Sequence, residues 1–340
     1  MTFYRAIAGI DAVRLEDEAV LLRSDMLSCR LEGASAAVAA ERLLPALSEW
    51  RSGEALVGLL PDYASEDVEA LVGELVAAGF VRARPSPPDG DEPAAASALA
   101  GFGIDEARAA GRLASLRIGL VGLDRVGLLV AGALGEAGVG TLLLADPARQ
   151  GAAAEALAPG CRSRLELAPD PLDRAGLEAL AGDLDLIVVT VDRGFLVARH
   201  WANRAALASG RPALFADLAL SEALIGPTLL PGESACYMCF RMRHLATLDK
   251  FAEGFALERH LDARRDPSAA RPLLPGLAEA AAGLVVGEAM RLLFGPLVPA
   301  YVNAVAQLDA GQGTLVRHQL ARQPECPHCR GIDVAVRSGG

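Results

Sequence analysis

Two Cys-x-x-Cys pairs, "CYMC" at Cys236 and Cys239 and "CPHC" at Cys326 and Cys329, stand far apart in the sequence. A short turn between the members of such a pair brings both sulfurs to one side. Two pairs together complete a closed, tetrahedral four-sulfur zinc site. A redox centre expects a single pair at a helix N-terminus in a thioredoxin-like unit. Two matched pairs therefore predict a structural zinc held by Cys236, Cys239, Cys326 and Cys329, with no thiolate left as a nucleophile. Pro231-Gly232 sets up the first knuckle and Pro327 stiffens the second. Such a zinc staples the strand-rich C-terminal stretch to the preceding domain. His244 and His328 lie nearby in sequence, but four sulfurs fill the coordination sphere, so both are expected outside it. Cys29 and Cys161 are expected as buried apolar fillers.

A second place for chemistry is "LRIGLVGLDRVGLLVAGALGEAGVGTLLLADP". It parses as an apolar strand (116–121), a glycine turn, a helix (about 126–137) and a strand (140–145) ending at Asp146, which is a βαβ unit of the nucleotide-binding type. Gly122 and Gly127 occupy the first and last glycine positions of the turn. Asp124 stands between them, placing bulk and negative charge where a phosphate would lie. Asp146 is positioned for a ribose hydroxyl. Two readings stay open: a scaffold whose nucleotide pocket has decayed, and a working nucleotide site. The position of Asp124 speaks for decay and against ATP.

The elements around these motifs fall into two regions. "RPSPPDGDEPAAAS" (84–97) has linker composition, giving an N-terminal domain at 1–84, a linker at 85–104, a larger domain at 105–331 and a disordered tail at 332–340. Strands are predicted near 11–15, 18–23 and 26–31. A helix from Ala34 must bend or end at Pro45, and a short helix follows in "SGEALVGLL". The next helix is capped by Ser65, carries Val68, Leu71, Val72 and Leu75 at helical spacing, and is closed by Gly79. "FVRAR" then returns as a strand. This order describes a winged helix-turn-helix. In the larger domain, strands at 184–192 and 211–220, a helix at 275–295 and two late strands around "DAGQG" argue a doubly wound parallel α/β sheet.

With 340 residues, 52% of them hydrophobic, the chain can bury a large core. A net charge of −11 disfavours nucleic acid. The predicted third helix reinforces this: it carries Glu66, Asp67, Glu69 and Glu74 and no base-reading cation. No stretch is long enough to span a bilayer and no signal segment is evident, so a soluble cytoplasmic protein is expected.

"IGLVGLDRVG", "GVGTLLLADP", "DLIVVTVD", "GPTLLPGESACYMCF" and "CPHC" together resemble the E1-like, ThiF/MoeB-type activating-enzyme fold over most of residues 105–331. In that family ATP adenylates an acyl C-terminus, and the resemblance matches Asp192 to an aspartate that helps hold magnesium. Departures are visible. Asp124 and Arg125 replace glycines, Ala148 replaces a second acid, and the phosphate-facing Asn and Arg are missing, with Arg149 as a displaced remnant. No thioester cysteine is found between 244 and 275. "PGESACYMCFRMR" and "RQPECPHC" resemble a narrower group, the ocin-ThiF-like partner proteins (F proteins) of thiazole/oxazole-modified peptide (TOMM) and thiopeptide biosynthesis.

The narrower resemblance implies a winged-helix RiPP recognition element that binds a precursor's leader peptide. It also implies a degenerate E1-like body and a separate ATP-dependent YcaO cyclodehydratase that forms azolines. Homodimerisation through the sheet domains is implied by the broader E1-like resemblance. In the narrower group the leader adds as a strand to the third strand of the small domain and packs on its third helix. Here those positions are Leu27, Cys29 and Leu31 with Val68, Leu71, Val72 and Leu75, although alternation also suits them to the core. The expected function is a leader-binding scaffold. The alternative is an active enzyme adenylating a peptide carboxylate. A nicotinamide-dependent dehydrogenase lacks both an intact fingerprint and an acid-base cluster.

Overall fold

The computed structural model describes residues 1–7, 9–15, 19–25, 27–87, 93–191, 196–247, 251–264 and 272–331. Asp192, most of the charged part of the linker and the tail at 332–340 lie outside the described residues. The chain divides into two units, Met1–Gly101 and Phe102–Gly340.

In the first unit the order is β1 (Phe3–Ala6), β2 (Asp11–Arg14), β3 (Val20–Arg23), β4 (Ser28–Leu31), α1 (Ala34–Ala46), β5 (Arg51–Ser52), α2 (Gly53–Gly58), α3 (Ser65–Ala77), β6 (Val81–Arg84) and α4 (Ala94–Ala100). β2, β3 and β4 form one antiparallel sheet, and β5, β1 and β6 another. The core gathers residues from β3, β4, α1, α2, α3 and β6, including Val20, Leu22, Leu43, Leu56, Leu75 and Val81, all nearly inaccessible to solvent. Pro45 lies inside the last turn of α1, where its missing N–H costs the bond to the Glu41 carbonyl, and the helix runs on to Ala46. Gly79 closes α3 in the left-handed region, and Phe80 N–H reaches back to the Leu75 carbonyl at 3.0 Å. Ser65 does not cap α3. Ala64 holds the cap position without a side-chain bond, and Ser65 is already helical. The helix instead begins with Glu66 and Asp67, whose charge suits its N-terminus.

In the second unit the order is α5 (Glu106–Ser115), β7 (Arg117–Val121), α6 (Arg125–Glu136), β8 (Thr141–Ala145), α7 (Gln150–Leu157), β9 (Arg164–Leu167), α8 (Arg174–Ala181), β10 (Leu186–Val189), α9 (Val197–Ser209), β11 (Ala213–Ala219), β12 (Glu222–Leu229), α10 (Tyr237–Ala246), α11 (Phe251–Arg264), α12 (Leu277–Leu293), β13 (Ala304–Asp309) and β14 (Thr314–Gln319). One eight-stranded sheet runs β14-β13-β12-β11-β10-β7-β8-β9. From β11 to β9 the pairing is parallel, as expected for helical crossovers. From β11 to β14 it is antiparallel. The sheet is thus mixed, not wholly parallel. The cause is local: only Leu220 and Ser221 separate β11 from β12, and so short a connection permits a hairpin but no crossover. Among the described residues no helix is long and apolar enough to cross a membrane.

Candidate functional site

The β12-to-α10 turn and the turn after β14 bring the four cysteines together. Ser234 organises the first: its Oγ accepts from Leu230 N–H at 2.7 Å and donates to the Thr228 carbonyl at 3.2 Å. Cys236 then precedes α10, and Cys239 lies one residue-triplet inside it. In the second turn, Cys326 N–H donates to the Gln323 carbonyl and Arg330 N–H to the Cys326 carbonyl, both at 3.1 Å. The β13–β14 hairpin carries this turn back to the first.

All four thiols are buried, and their sulfurs lie within 4.8 Å of one another. Cys236 and Cys239 are 3.9 Å apart, Cys236 and Cys326 3.7 Å, and Cys239 and Cys329 3.5 Å. A tetrahedron with Zn–S of about 2.3 Å has S···S edges of about 3.8 Å. The donor set and its spacing therefore fit a tetrahedral metal such as zinc. Gln323 N–H donates to Cys239 Sγ at 3.3 Å, a bond that favours a thiolate. Cys239 is pushed down to about 4, first by the hydrogen bond from Cys236. The Cys236 thiol is pushed up, by that same bond and by burial. A bound cation would let the remaining sulfurs ionise at this distance.

Around the sulfurs, Asn203 on α9 ties the two turns together. Its Oδ1 accepts from Tyr237 N–H at 2.9 Å, and its Nδ2 donates to His328 Nδ1 at 2.8 Å. His328 is thereby held outside the sulfur cluster. His244 is exposed and stacks on Phe240, with ring centroids 5.6 Å apart. Cys29 and Cys161 are half-buried rather than buried. Cys29 lies on an outer strand, and Cys161 lies in a surface turn with its Sγ against the Cα of Gly135, where an added Cβ would come within 2.5 Å.

The glycine turn is built tightly. Gly122 has a φ of +91°, and a Cβ there would meet the Val191 backbone at 2.8 Å. A Cβ on Gly127 would lie 2.2 Å from the Gly122 carbonyl oxygen. Asp124 is the N-cap of α6, and its Oδ1 accepts from the N–H groups of both Val126 and Gly127 at 3.1 Å. Those are the donors that a helix N-terminus offers to a phosphate. Asp146, at the end of β8, is also engaged: its Oδ2 accepts from Leu123 N–H at 3.0 Å and from Arg149 Nη1 at 3.1 Å. Arg125 turns outward to Glu279 on α12 at 2.6 Å. The cavity lined by Asp124, Arg125, Thr190 and Leu218 has a volume of about 20 Å³, room for one water.

Of the seven candidate groove positions, Leu31, Val68, Leu71, Val72 and Leu75 are buried in the first unit, while Leu27 and Cys29 are half-buried against its core. Leu27 packs over Gly79, just beyond α3, where an added Cβ would meet its Cδ1 at 3.2 Å.

No curated protein matches the sequence. Among solved structures, E. coli MccB with ATP superposes with a TM-score of 0.60 at 14% identity, over 96% of this chain and 99% of that one. The microcin C7 biosynthetic enzyme MccB in complex with N-formylated MccA gives 0.58 at 14% identity, with the same coverage of 96% and 99%. The heterocyclase TruD gives 0.58 at 18% identity, over 97% of this chain and 43% of that one. At these identities the likeness is one of fold. Residues 151–328, which begin just after the glycine turn and Asp146, match the ThiF family, and the chain belongs to that family.

Proposed function

We propose that this protein is a leader-peptide-binding scaffold. Residues 1–84 act as a winged-helix peptide-recognition domain, 85–104 as a linker, and the E1-like body carries a structural zinc on Cys236, Cys239, Cys326 and Cys329. The scaffold captures a ribosomal precursor peptide in the cytoplasm and presents it to a separate YcaO cyclodehydratase, which spends ATP to form azolines. A homodimer through the sheet domains is part of the same proposal. The observation that carries it is Asp124: its carboxylate takes the two N–H groups on which a nucleotide phosphate would depend. The N-formylated MccA and ATP named with the MccB structures, and the heterocyclase description of TruD, support a role beside a biosynthetic modification. Fluorescence polarisation with the cognate leader peptide tests the proposal. Saturable binding with no peptide-dependent pyrophosphate exchange is expected, and absence of binding would sink it.

Asp146 and Asp192 motivate a second reading, adenylation of a peptide carboxylate or of a side-chain carboxylate in the precursor. Peptide-dependent pyrophosphate exchange that disappears in Asp192→Ala would favour that enzyme over the scaffold.

A further inference from the structure

A groove in the first unit, between β1, α2 and the first half of α3, encloses about 690 Å³. That is within the range of roughly 300–1,000 Å³ in which ligand-sized pockets fall. Half-buried Tyr4 and Val57 give it apolar walls over the core residues Val68 and Val72. Val68 and Val72 share one stripe of α3 with Glu69, by the three- and four-residue spacing that aligns helical side chains. Leu27, which leads into β4, instead meets the far end of α3 at Gly79. The groove is therefore separate from the β4 edge, where strand addition would occur.

Its charged lining side chains are Glu54 and Glu69; no lysine or arginine lines it, and its one other charged group is the Met1 ammonium. Both carboxylates are exposed, and neither has an ion-pair partner among the described residues. Glu54 lies in the first turn of α2, where an acid favours the helix end. Glu69 lies beyond the first turn of α3 and has no such role. Two unpaired carboxylates beside apolar walls select a ligand with a cation next to a large apolar side chain and repel anionic ligands.

We infer that this groove is a peptide subsite, taking a large apolar side chain of the precursor whose flanking lysine or arginine meets Glu54 and Glu69. The inference rests on the reading of the first unit as the peptide-capture domain.

Polarisation titrations of the full chain with short fluorescein-labelled peptides test it. The peptides have a Leu-Phe or Ser-Ser centre and either lysine or glutamate flanks. The lysine-flanked Leu-Phe peptide binds, and exchanging its flanks for glutamate or its centre for serine weakens binding by about tenfold or more. In the double variant Glu54→Lys/Glu69→Lys, with folding checked by circular dichroism, the preference for flanking charge inverts, and Glu69→Lys alone, outside the first turn of α3, weakens the preference for lysine flanks. Equal binding of lysine- and glutamate-flanked peptides, an unchanged preference in the variant, or no binding of any probe overturns the subsite. The precursor assay is read separately. If the precursor binds wild type and double variant alike, the subsite falls and peptide capture stands. If the lysine-flanked probe binds and the precursor does not, the capture reading falls instead.

Discussion

At residue 124 the difference between a phosphate-binding turn and a self-capped one is a single carboxylate. Its position was legible in the sequence, because glycine is needed there for close approach of an anion. Its use of the Val126 and Gly127 N–H groups was not, since spacing says nothing about where a side chain turns. Asp124→Ala should lower stability in urea by about 1 kcal/mol, as for other lost N-caps, and Asp124→Gly by only a few tenths. The glycine variant also frees both donors, so calorimetry should detect ATP binding in it and none in the wild type. Asn203 escaped the sequence altogether: its partners Tyr237 and His328 lie 34 and 125 residues away. His200, close to both rings, is pushed down to about 4 by burial and by the charges of His328, Arg241, Arg199 and Arg204. The unfolded chain takes up a proton near pH 6.5 and the folded one only near 4, so stability from this group is complete above about pH 6.5 and falls as pH drops toward 4. Denaturation curves at successive pH values should show that slope in the wild type and a shallower one in His200→Gln.

Elements built from local signals were legible, and those defined by distant partners were not. β7, α6 and β8 follow one another with apolar runs, a glycine turn and helical spacing, and the structure forms them within a residue or two of expectation. β1 and β5 are short, and β1 becomes a strand by pairing with β6 from the other end of the unit. β12 holds Pro227, which disguises a strand in sequence. Its pairing with β11 through a two-residue turn is what makes the sheet mixed. α12 is tied to this region by Glu288, which is fully buried. The Glu288 carboxylate accepts from Thr228 Oγ1, Ala300 N–H and Tyr301 N–H, each at 2.8 Å. Glu288→Ala leaves these donors without their acceptor in the interior. A loss of about 3 kcal/mol or more is expected in equilibrium unfolding, and a loss under 1 kcal/mol would show that water replaces the carboxylate.

For the molecule as a whole, the division of labour between the two units makes a prediction about the metal. Purified protein should carry about one zinc per chain, the content of a single four-cysteine site. A strong chelator, or Cys326→Ser, should lower the melting temperature of the second unit while leaving peptide affinity of the first unit unchanged, measured by calorimetry and polarisation on the same samples. Loss of peptide binding on chelation would contradict a purely structural metal. The two knuckles also set a schedule for synthesis. Cys236 and Cys326 are 90 residues apart, and the second pair follows the last strand of the sheet. At translation rates of about 5–20 residues per second, the first pair waits on the order of 5–20 s before its partners exist. Through that interval two thiols are open to oxidation or to a stray ion. With zinc held as proposed, the bound metal marks a chain whose synthesis has passed β14, and a chain truncated before Cys326 keeps only half of the donor set.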